Sequence, residues 1–305
     1  MSRPRVVVLG AGGFIGSHVA AALERLGSVD VTLVSRKGAD LSLDVSGADR
    51  AAFGALLRGE RPTAVINAAG VTEGSPAALV RGNVVLVAEL LAAAAATAPG
   101  CRVVQIGSSA EYGAVAVGVP IDEDAVPNPV STYGLTKLAG TELAVAAGRS
   151  GDVDAVVVRL FNPIGPGMAP NTLVGRAVAG LKAALDGRAP TVELGPLGDS
   201  RDFVDVDDAA EAICAAALRE SSIGGRILNV GSGRATTARD LVGLLAAAAG
   251  YEGPIEEADV VGASTRSASV PWQQADVSAI RSMLGWIPGR TLDETVERVW
   301  SAARP

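Results

Sequence analysis

Histidine and cysteine are nearly absent from this chain of 305 residues, and each scarcity excludes a class of chemistry. His18 is the only histidine and falls within a predicted helix, so a Ser-His-Asp hydrolase is nearly excluded. A multi-histidine metal site is impossible. Cys101 and Cys214 are too few for a disulfide framework or a structural zinc site. We therefore expect no metal centre.

Basic residues are also in deficit, with 26 Lys and Arg against 33 Asp and Glu, for a formal net charge of −7. This acidic balance argues against general nucleic-acid or anionic-membrane binding, which require basic surface. The longest apolar run, residues 84–98, is interrupted by Glu89 and is too short and too polar to span a bilayer. No signal peptide is recognisable at the N-terminus. We expect a cytoplasmic protein with neither nucleic-acid nor membrane partners.

Strand-like and helical segments alternate over the first half of the chain, which is typical of an α/β protein. The β-branched runs are continuous, as in strands buried on both faces. The pattern predicts a Rossmann-type doubly wound parallel sheet. The predicted strands are 6–9, 29–35, 64–67, 102–107 and 155–160, and the predicted helices are 17–26, 48–57, 83–98 and 133–147.

Prolines and glycines interrupt this rhythm after Phe161. We predict a dinucleotide-binding domain over residues 1–164 and a smaller C-terminal α/β substrate lobe over most of 165–305. Some later strands, at about 200–232, are expected to rejoin the first domain. Further predicted elements are helices 174–185, 209–219 and 237–249, strands 192–194 and 226–230, and two terminal helices.

A glycine-rich turn joins the first predicted strand to the first predicted helix. Gly10, Gly13 and Gly16 have the spacing G-x-x-G-x-x-G. In this context the first glycine permits a tight turn, the second lets backbone N–H groups approach a pyrophosphate, and the third lets helix and strand pack closely. The helix N-terminus adds partial positive charge. The turn therefore predicts a dinucleotide cofactor.

The residues after the second strand indicate which dinucleotide binds. NAD sites usually carry an acidic residue there, whereas this chain has Ser35, Arg36 and Lys37. Arg36 suits the 2′-phosphate of NADP, with its two neighbours as helpers, so NADP is favoured and NAD is the alternative. Further cofactor contacts are predicted at Asp44 and Val45, beside the adenine, and at Ala68, Ala69 and Gly70 after the third strand.

An acid–base pair is predicted on the helix at residues 133–147. Tyr133 and Lys137 lie four residues apart and so share one helical face. Reduction of a ketone needs a proton donor at the carbonyl oxygen, and a nearby ammonium lowers the pKa of a phenol toward neutrality. Ser108 and Ser109 end the fourth strand, where a hydroxyl can hydrogen-bond a substrate carbonyl. The residues alone leave the choice between the two serines open.

These segments together resemble the extended short-chain dehydrogenase/reductase family, which acts mostly on nucleotide sugars. The resemblance spans nearly the whole chain in the family's order. The usual Val-Tyr-Gly after the serines is shortened here to Glu111-Tyr112-Gly113. The matching segments are Gly10/Gly13/Gly16, 68–70, 108–113, 133–137, 159–167, 201–205 and 284–286.

The resemblance implies roles for individual residues. Ser109, Tyr133 and Lys137 would form the catalytic triad, and Ser108 would support the cofactor side. Additional cofactor contacts are implied for Phe14, Ile15, Asn83, Phe161 and Ile164. Substrate contacts are implied for Ser109, Glu111, Asn162, Asn171, Arg201 and Arg266, the two arginines holding the diphosphate.

Segments 161–167 and 195–203 are similar to GDP-6-deoxy-4-keto-hexose reductases, and segments 40–44 and 62–69 to dTDP-4-dehydrorhamnose reductases. The resemblance therefore implies NADPH-dependent reduction of the C4 ketone of a nucleotide-linked 4-keto-6-deoxysugar. A 4-epimerase with tightly bound NAD is one alternative. A 4,6-dehydratase using Glu111 as a base is another, and a non-catalytic dinucleotide sensor is a third. The family also implies a homodimer.

Overall fold

In a computed structural model the chain is described over residues 3–257 and 270–304. The strands are β1 (Arg5–Leu9), β2 (Asp30–Ser35), β3 (Leu41–Ser42), β4 (Ala64–Asn67), β5 (Arg102–Ser108), β6 (Asp154–Leu160), β7 (Pro163–Ile164), β8 (Val192–Leu194), β9 (Ser200–Asp202), β10 (Val204–Asp205), β11 (Ile227–Val230), β12 (Ala235–Thr237) and β13 (Ile255–Glu257). The helices are α1 (Phe14–Leu26), α2 (Arg50–Glu60), α3 (Pro76–Val80), α4 (Leu86–Thr97), α5 (Thr132–Ser150), α6 (Leu173–Leu185), α7 (Val206–Leu218), α8 (Ala238–Ala249), α9 (Ser278–Leu284) and α10 (Leu292–Ala303).

Seven strands form one sheet in the order β11-β6-β5-β4-β1-β2-β3, and every neighbouring pair is parallel. This arrangement confirms the predicted doubly wound sheet. The direction of winding reverses between β1 and β4, which opens a crevice beyond their carboxyl ends. Ligands of such sheets bind in that crevice.

Apolar helices cover both faces of the sheet. On one face α1, α7 and α9 bury a cluster that includes Val8, Leu23 and Ile213. On the other face α2, α4 and α5 bury a cluster that includes Phe53 and Leu90. Because both faces are dry, the central strands are continuous apolar runs, which is why they were recognisable in the sequence.

A smaller lobe has its own hydrophobic cluster, made mainly by α6, α8, α10 and β8 and including Leu181, Leu241 and Trp300. Its short strands pair as β13 with β8, β12 with β9, and β10 with β7. Six strands have only two or three residues, which is too short to produce a recognisable period, and the sequence analysis did not predict them. They are β3 in the main sheet and β7, β9, β10, β12 and β13. The short strand β8 was predicted.

The predicted helix at 83–98 begins earlier than expected. Ser75 caps it by accepting a hydrogen bond from the Ala78 N–H, and Pro76 occupies the first helical position, a usual starting pattern. A π-helical turn, Arg81–Val85, joins α3 to α4. The whole stretch is apolar and long enough for a membrane span, but Leu86 and Leu90 are at most 2% exposed because the helix packs against the sheet.

Candidate active site

The glycine turn lies at the crevice between β1 and β4. Gly10 has a φ of +77°, and a Cβ atom there would lie 2.7 Å from the Ala69 nitrogen. A Cβ on Gly16 would overlap the Gly10 carbonyl oxygen. Gly13 caps α1 without a side chain, so the first N–H groups of the helix are presented toward the crevice. This arrangement fits the pyrophosphate of a dinucleotide.

The end of β2 lies beside this turn. The Val34 carbonyl accepts hydrogen bonds from the N–H groups of Gly10 and Ala11, at 2.9 and 3.2 Å. Ser35 is nearly buried, and its hydroxyl donates to the Lys37 carbonyl at 2.6 Å. Arg36 and Lys37 are exposed. The two basic side chains therefore follow the strand next to the predicted phosphate site.

The predicted adenine contacts differ in character. The Asp44 carboxylate is exposed and accepts hydrogen bonds from the Ser46 hydroxyl and N–H, which hold the pKa of Asp44 below its usual value. Val45 is 8% exposed and belongs to the hydrophobic cluster around Phe53. The Val45 side chain is therefore part of the core.

Asn83 was predicted to contact the cofactor, and the structure shows its side chain bound to other parts of the protein. Its side chain is 2% exposed. The amide oxygen accepts the Val71 N–H at 2.9 Å, and the amide nitrogen donates to the Val71 carbonyl at 2.8 Å and to the Thr136 hydroxyl at 3.1 Å. Asn83 therefore ties the loop after β4, which carries residues 68–70, to helix α5.

Helix α5 brings the predicted acid–base pair to the end of β5. Ser131 caps the helix, so Tyr133 lies in its first turn and is half-buried. Lys137 is 8% exposed, and its Nζ donates to the Ile106 carbonyl of β5. Gly134 packs against the Ala110 carbonyl, in the turn that follows β5. Lys137 and the first turn of α5, which carries Tyr133, thus lie at the strand end that carries the two serines.

The other two tyrosines form hydrogen bonds elsewhere in the fold. Tyr112 is fully buried, its hydroxyl donates to Asn229 Oδ1 at 2.8 Å, and burial raises its pKa to about 12. The Tyr251 hydroxyl donates to the Pro254 carbonyl in the smaller lobe. Among the three tyrosines of the sequence, only Tyr133 shares a helical face with a lysine one turn later.

The two serines are held differently. Ser108 is half-buried and caps the 3₁₀ turn Ser109–Glu111 by accepting a hydrogen bond from the Ala110 N–H at 3.2 Å. Ser109 is 5% exposed, and its carbonyl accepts a hydrogen bond from Gln273 Nε2 at 2.9 Å. The sequence analysis missed Gln273, which comes from the far end of the chain and stabilises this turn.

Glu111 was predicted to contact the substrate, and the structure places its side chain inside the fold. The residue is 0% exposed. Its Oε1 accepts the Ser108 N–H at 2.7 Å, and its Oε2 accepts a hydrogen bond from Arg159 Nε at 2.8 Å. Arg159 is also 0% exposed and lies over the Tyr112 ring, 4.3 Å from its centroid. A carboxylate held in this way cannot remove a proton from a sugar.

The remaining substrate candidates lie where the smaller lobe meets the sheet. Asn162 is half-buried and donates to the Asp202 carbonyl at 3.2 Å. Asn171 is exposed and donates to the Glu73 carboxylate. Arg201 is 8% exposed and pairs with Asp199 at 3.2 Å. Arg266 lies outside the described residues.

Four further cofactor candidates divide into two pairs. Phe14 and Ile15 are half-buried in the first turn of α1. Phe161 is fully buried against Tyr112, and Ile164 belongs to the cluster of the smaller lobe. The side chains of the second pair are therefore part of the hydrophobic core.

The His18 side chain forms two long-range contacts that were not predicted from the sequence. Its Nδ1 lies 2.6 Å from Asp207 Oδ1 and its Nε2 lies 3.1 Å from the Pro166 carbonyl oxygen. It joins α1 to α7 and to the loop after β7. Nothing in the local sequence indicates these contacts, because the partners are 189 and 148 residues away.

A glycine turn at the reversal point of a doubly wound sheet, with a Tyr-x-x-x-Lys pair at a neighbouring strand end, defines a dinucleotide-dependent oxidoreductase of the short-chain type. The sequence profile of the NAD dependent epimerase/dehydratase family matches residues 6–231. The chain belongs to this family and is an NAD(P)-dependent enzyme. The resemblance inferred from the sequence is confirmed.

Individual relatives match over nearly their full length. The dTDP-6-deoxy-L-talose 4-dehydrogenase (NAD(P)(+)) of Kitasatospora kifunensis is 39% identical over 98% of this chain and 95% of that protein. The GDP-6-deoxy-D-mannose reductase of Pseudomonas aeruginosa is 31% identical over 97% of this chain and 96% of that protein. The structure of RMD from Pseudomonas aeruginosa complexed with NADPH superposes with a TM-score of 0.84 at 28% identity, covering 98% of both chains.

Proposed function

We propose that this enzyme reduces the C4 ketone of a nucleotide-linked 4-keto-6-deoxysugar with NADPH, and catalyses the reverse oxidation when the alcohol and NADP are supplied. The observation that carries the proposal is the meeting of Tyr133, Lys137 and the serine turn at the end of β5. Two relatives covering nearly the whole chain are named for a 4-dehydrogenase and a reductase of 6-deoxysugar nucleotides, which supports the same reaction.

The residues divide the reaction as follows. NADPH, when bound along the glycine turn, supplies the hydride that the ketone carbon takes up. Tyr133 donates its phenolic proton to the carbonyl oxygen, so that the product is an alcohol. Lys137 favours the resulting phenolate by its charge, and the hydroxyl of Ser109 holds the carbonyl oxygen in place.

NADPH is preferred to NADH because of the residues after β2. Arg36 and Lys37 are exposed beside the glycine turn, where the 2′-phosphate of NADP would lie. No acidic residue stands directly after the strand to bind a ribose 2′-hydroxyl. A planar guanidinium can bind a phosphate through two hydrogen bonds, which an ammonium cannot match.

Two alternatives receive different support. A 4,6-dehydratase loses its proposed base, because Glu111 is buried and paired with Arg159. A 4-epimerase shares the Tyr–Lys chemistry, and the UDP-glucose 4-epimerase of Azospirillum brasilense is 32% identical over 93% of this chain. The exposed basic pair after β2 favours the reductase, because the pair suits NADPH. The epimerase alternative instead keeps a tightly bound NAD, which it regenerates in each cycle and need not exchange.

The direct test is a panel of 4-keto-6-deoxyhexoses linked to dTDP, GDP and UDP, each assayed for NADPH oxidation. The proposal expects stoichiometric oxidation of NADPH with at least one of them and formation of a 6-deoxyhexose nucleotide. Purified enzyme that carries bound NAD and interconverts two sugar nucleotides without added cofactor would instead identify an epimerase.

We also propose a homodimer built on α4 and α5. Leu135 and Leu143 on α5 and Val80 and Val85 before α4 are between 36% and 57% exposed, a high exposure for apolar side chains on adjacent helices. A second copy would bury them. Light scattering should give twice the chain mass for the wild type and a lower mass for Leu143→Glu; a monomeric wild type would refute this assembly.

A further inference from the structure

Glu111 is a fully buried carboxylate that the proposed reaction does not use. It belongs to the turn after β5, and its Oε1 accepts the Ser108 N–H at 2.7 Å. A Cβ atom on Gly107 would lie 2.9 Å from the same oxygen. The carboxylate therefore lies directly against the last residues of the strand that faces the active site.

The same strand end holds the catalytic lysine. Lys137 Nζ donates to the carbonyl of Ile106, the residue before Gly107. Thr141, one helical turn after Lys137, has its hydroxyl oxygen 3.3 Å from the position of a Gly107 Cβ. The Glu111 carboxylate and Thr141 of helix α5 thus both lie next to Gly107, on the side toward which a side chain would project, and Lys137 binds the preceding carbonyl.

The charges at this point are unequal. Lys137 and Arg159 are two buried cations, 8% and 0% exposed. The Glu111 carboxylate pairs with Arg159 at 2.8 Å and lies against Gly107, the residue after the one whose carbonyl binds Lys137. Burial lowers the pKa of Lys137, and the negative charge of Glu111 opposes that effect. A buried cation without a compensating charge loses its proton readily. A neutral Lys137 would no longer favour the Tyr133 phenolate.

We propose that Glu111 is a positioning residue for the Tyr133–Lys137 pair: its carboxylate fixes the strand end at Ser108 and keeps Lys137 in the ammonium form. Arg159 holds the carboxylate in place. The titratable groups that the structure places around this point are Lys137 on α5, Glu111 and Tyr112 after β5, and Arg159 on β6. This inference rests on the proposed role of Lys137 but not on the identity of the sugar.

Lysine ionisation can be read directly, because the chain has three lysines, at positions 37, 137 and 182. Protein labelled with [13Cε]-lysine is titrated by NMR without ligand, and the Lys137 signal is assigned by its loss in Lys137→Met. In Glu111→Gln the midpoint of Lys137 should move to lower pH by about one unit, since an opposite charge at short range shifts a pKa by about 1–3 units. Glu142→Gln is the control. It replaces an exposed carboxylate on the same helix by a carboxamide and should leave the Lys137 midpoint unchanged.

Glu111→Gln leaves Arg159 unpaired and can fail to fold, so the double variant Glu111→Gln/Arg159→Gln is measured with it. The double variant removes one charge of each sign, so its Lys137 midpoint is compared with that of Arg159→Gln alone, which lacks the same cation. If Glu111 positions and charges Lys137, the double variant has the lower midpoint of the two. Equal midpoints in the two folded variants would overturn the proposal, because Glu111 would then not act on Lys137. If no sugar nucleotide is a substrate, the proposed function fails, but the NMR titration still tests the effect of Glu111 on Lys137 because it is carried out without ligand.

Discussion

Gly134 packs so closely against Ala110 that a Cβ atom on Gly134 would lie 2.5 Å from the Ala110 carbonyl oxygen. The contact joins the first turn of α5, which carries Tyr133, to the turn after β5, which carries Ser109. Two backbone segments at this distance leave no room for a side chain between them. The contact therefore sets the separation of the proposed proton donor from the proposed carbonyl-binding serine.

Gly134→Ala should disturb both stability and activity. The added methyl must displace a backbone carbonyl, so we expect a loss of about 1–3 kcal/mol in the free energy of unfolding and a fall in kcat. Gly243→Ala on α8 is the matched control, because nothing lies within 4 Å of a Cβ there. It should be neutral or stabilising, as alanine is the better helix former. Urea denaturation measures the free energy of unfolding, and NADPH oxidation measures kcat. Equal stability and equal kcat for the two variants would be inconsistent with the tight contact.

Ser109→Ala should lower kcat by about 100- to 1,000-fold, the usual loss for one hydrogen-bond donor to a reacting carbonyl. Its melting temperature should change little. Ser108→Ala removes the cap on the Ala110 N–H and should act mainly on stability, by about 1 kcal/mol. Steady-state kinetics and thermal denaturation of the two variants assign the catalytic serine. The reverse pattern would transfer the role to Ser108.

Arg36→Ala should weaken NADPH binding by about 10- to 100-fold, because a hydrogen bond to a charged group contributes about 1.5–3 kcal/mol. NADH binding should be almost unchanged, since NADH lacks the 2′-phosphate. Lys37→Ala serves as a second basic-to-neutral change in the same loop and should have a smaller effect. Nicotinamide fluorescence gives both dissociation constants. An equal loss for the two dinucleotides would show that Arg36 does not read the phosphate.

Asp207→Asn should destabilise the enzyme in a pH-dependent way. Burial raises the pKa of Asp207, but hydrogen bonds with His18 and Arg298 outweigh burial and hold this pKa below its usual value. A carboxyl whose pKa is lowered on folding adds stability above its unfolded-state pKa, and that stability is lost as the pH falls through the folded-state pKa. The variant should lose about 1.5–3 kcal/mol near neutral pH, and the difference from the wild type should shrink in acid.

Urea denaturation at about pH 7 and about pH 3 measures this narrowing. Asp186→Asn breaks an exposed pair with Arg188, in which both side chains are more than half exposed, and should cost only about 0–1 kcal/mol. A loss for Asp207→Asn that stayed constant with pH would mean that its ionisation does not stabilise the fold.

The sheet was predictable from the sequence, and the proposed reacting residues could be selected from it, because their signals are local. Continuous β-branched runs indicate dry strands, a glycine turn between a strand and a helix indicates a phosphate site, and Tyr133 and Lys137 are four residues apart. Each of these patterns is complete within a few residues. The alternation of elements then brings the strand ends together without further information.

The polar groups that support the site were not predictable, because their partners are distant in sequence. Glu111 pairs with Arg159 across 48 residues, and Asn83 reaches Thr136 across 53. From the sequence Glu111 and Asn83 resembled ligand contacts, and the structure shows both side chains buried and bound to distant parts of the protein. A buried polar residue and a binding residue have the same local signature until the partner is known.

The central claim is that Tyr133 passes its proton to a sugar ketone. Single-turnover reduction by enzyme mixed with NADPH, followed at the nicotinamide absorbance, tests it with Tyr133→Phe, which keeps the ring and removes the hydroxyl. The account predicts that the variant binds NADPH with unchanged Kd and that hydride transfer to the 4-keto sugar nucleotide slows by about 100- to 10,000-fold, the usual contribution of a general acid. A transfer rate equal to that of the wild type would contradict it.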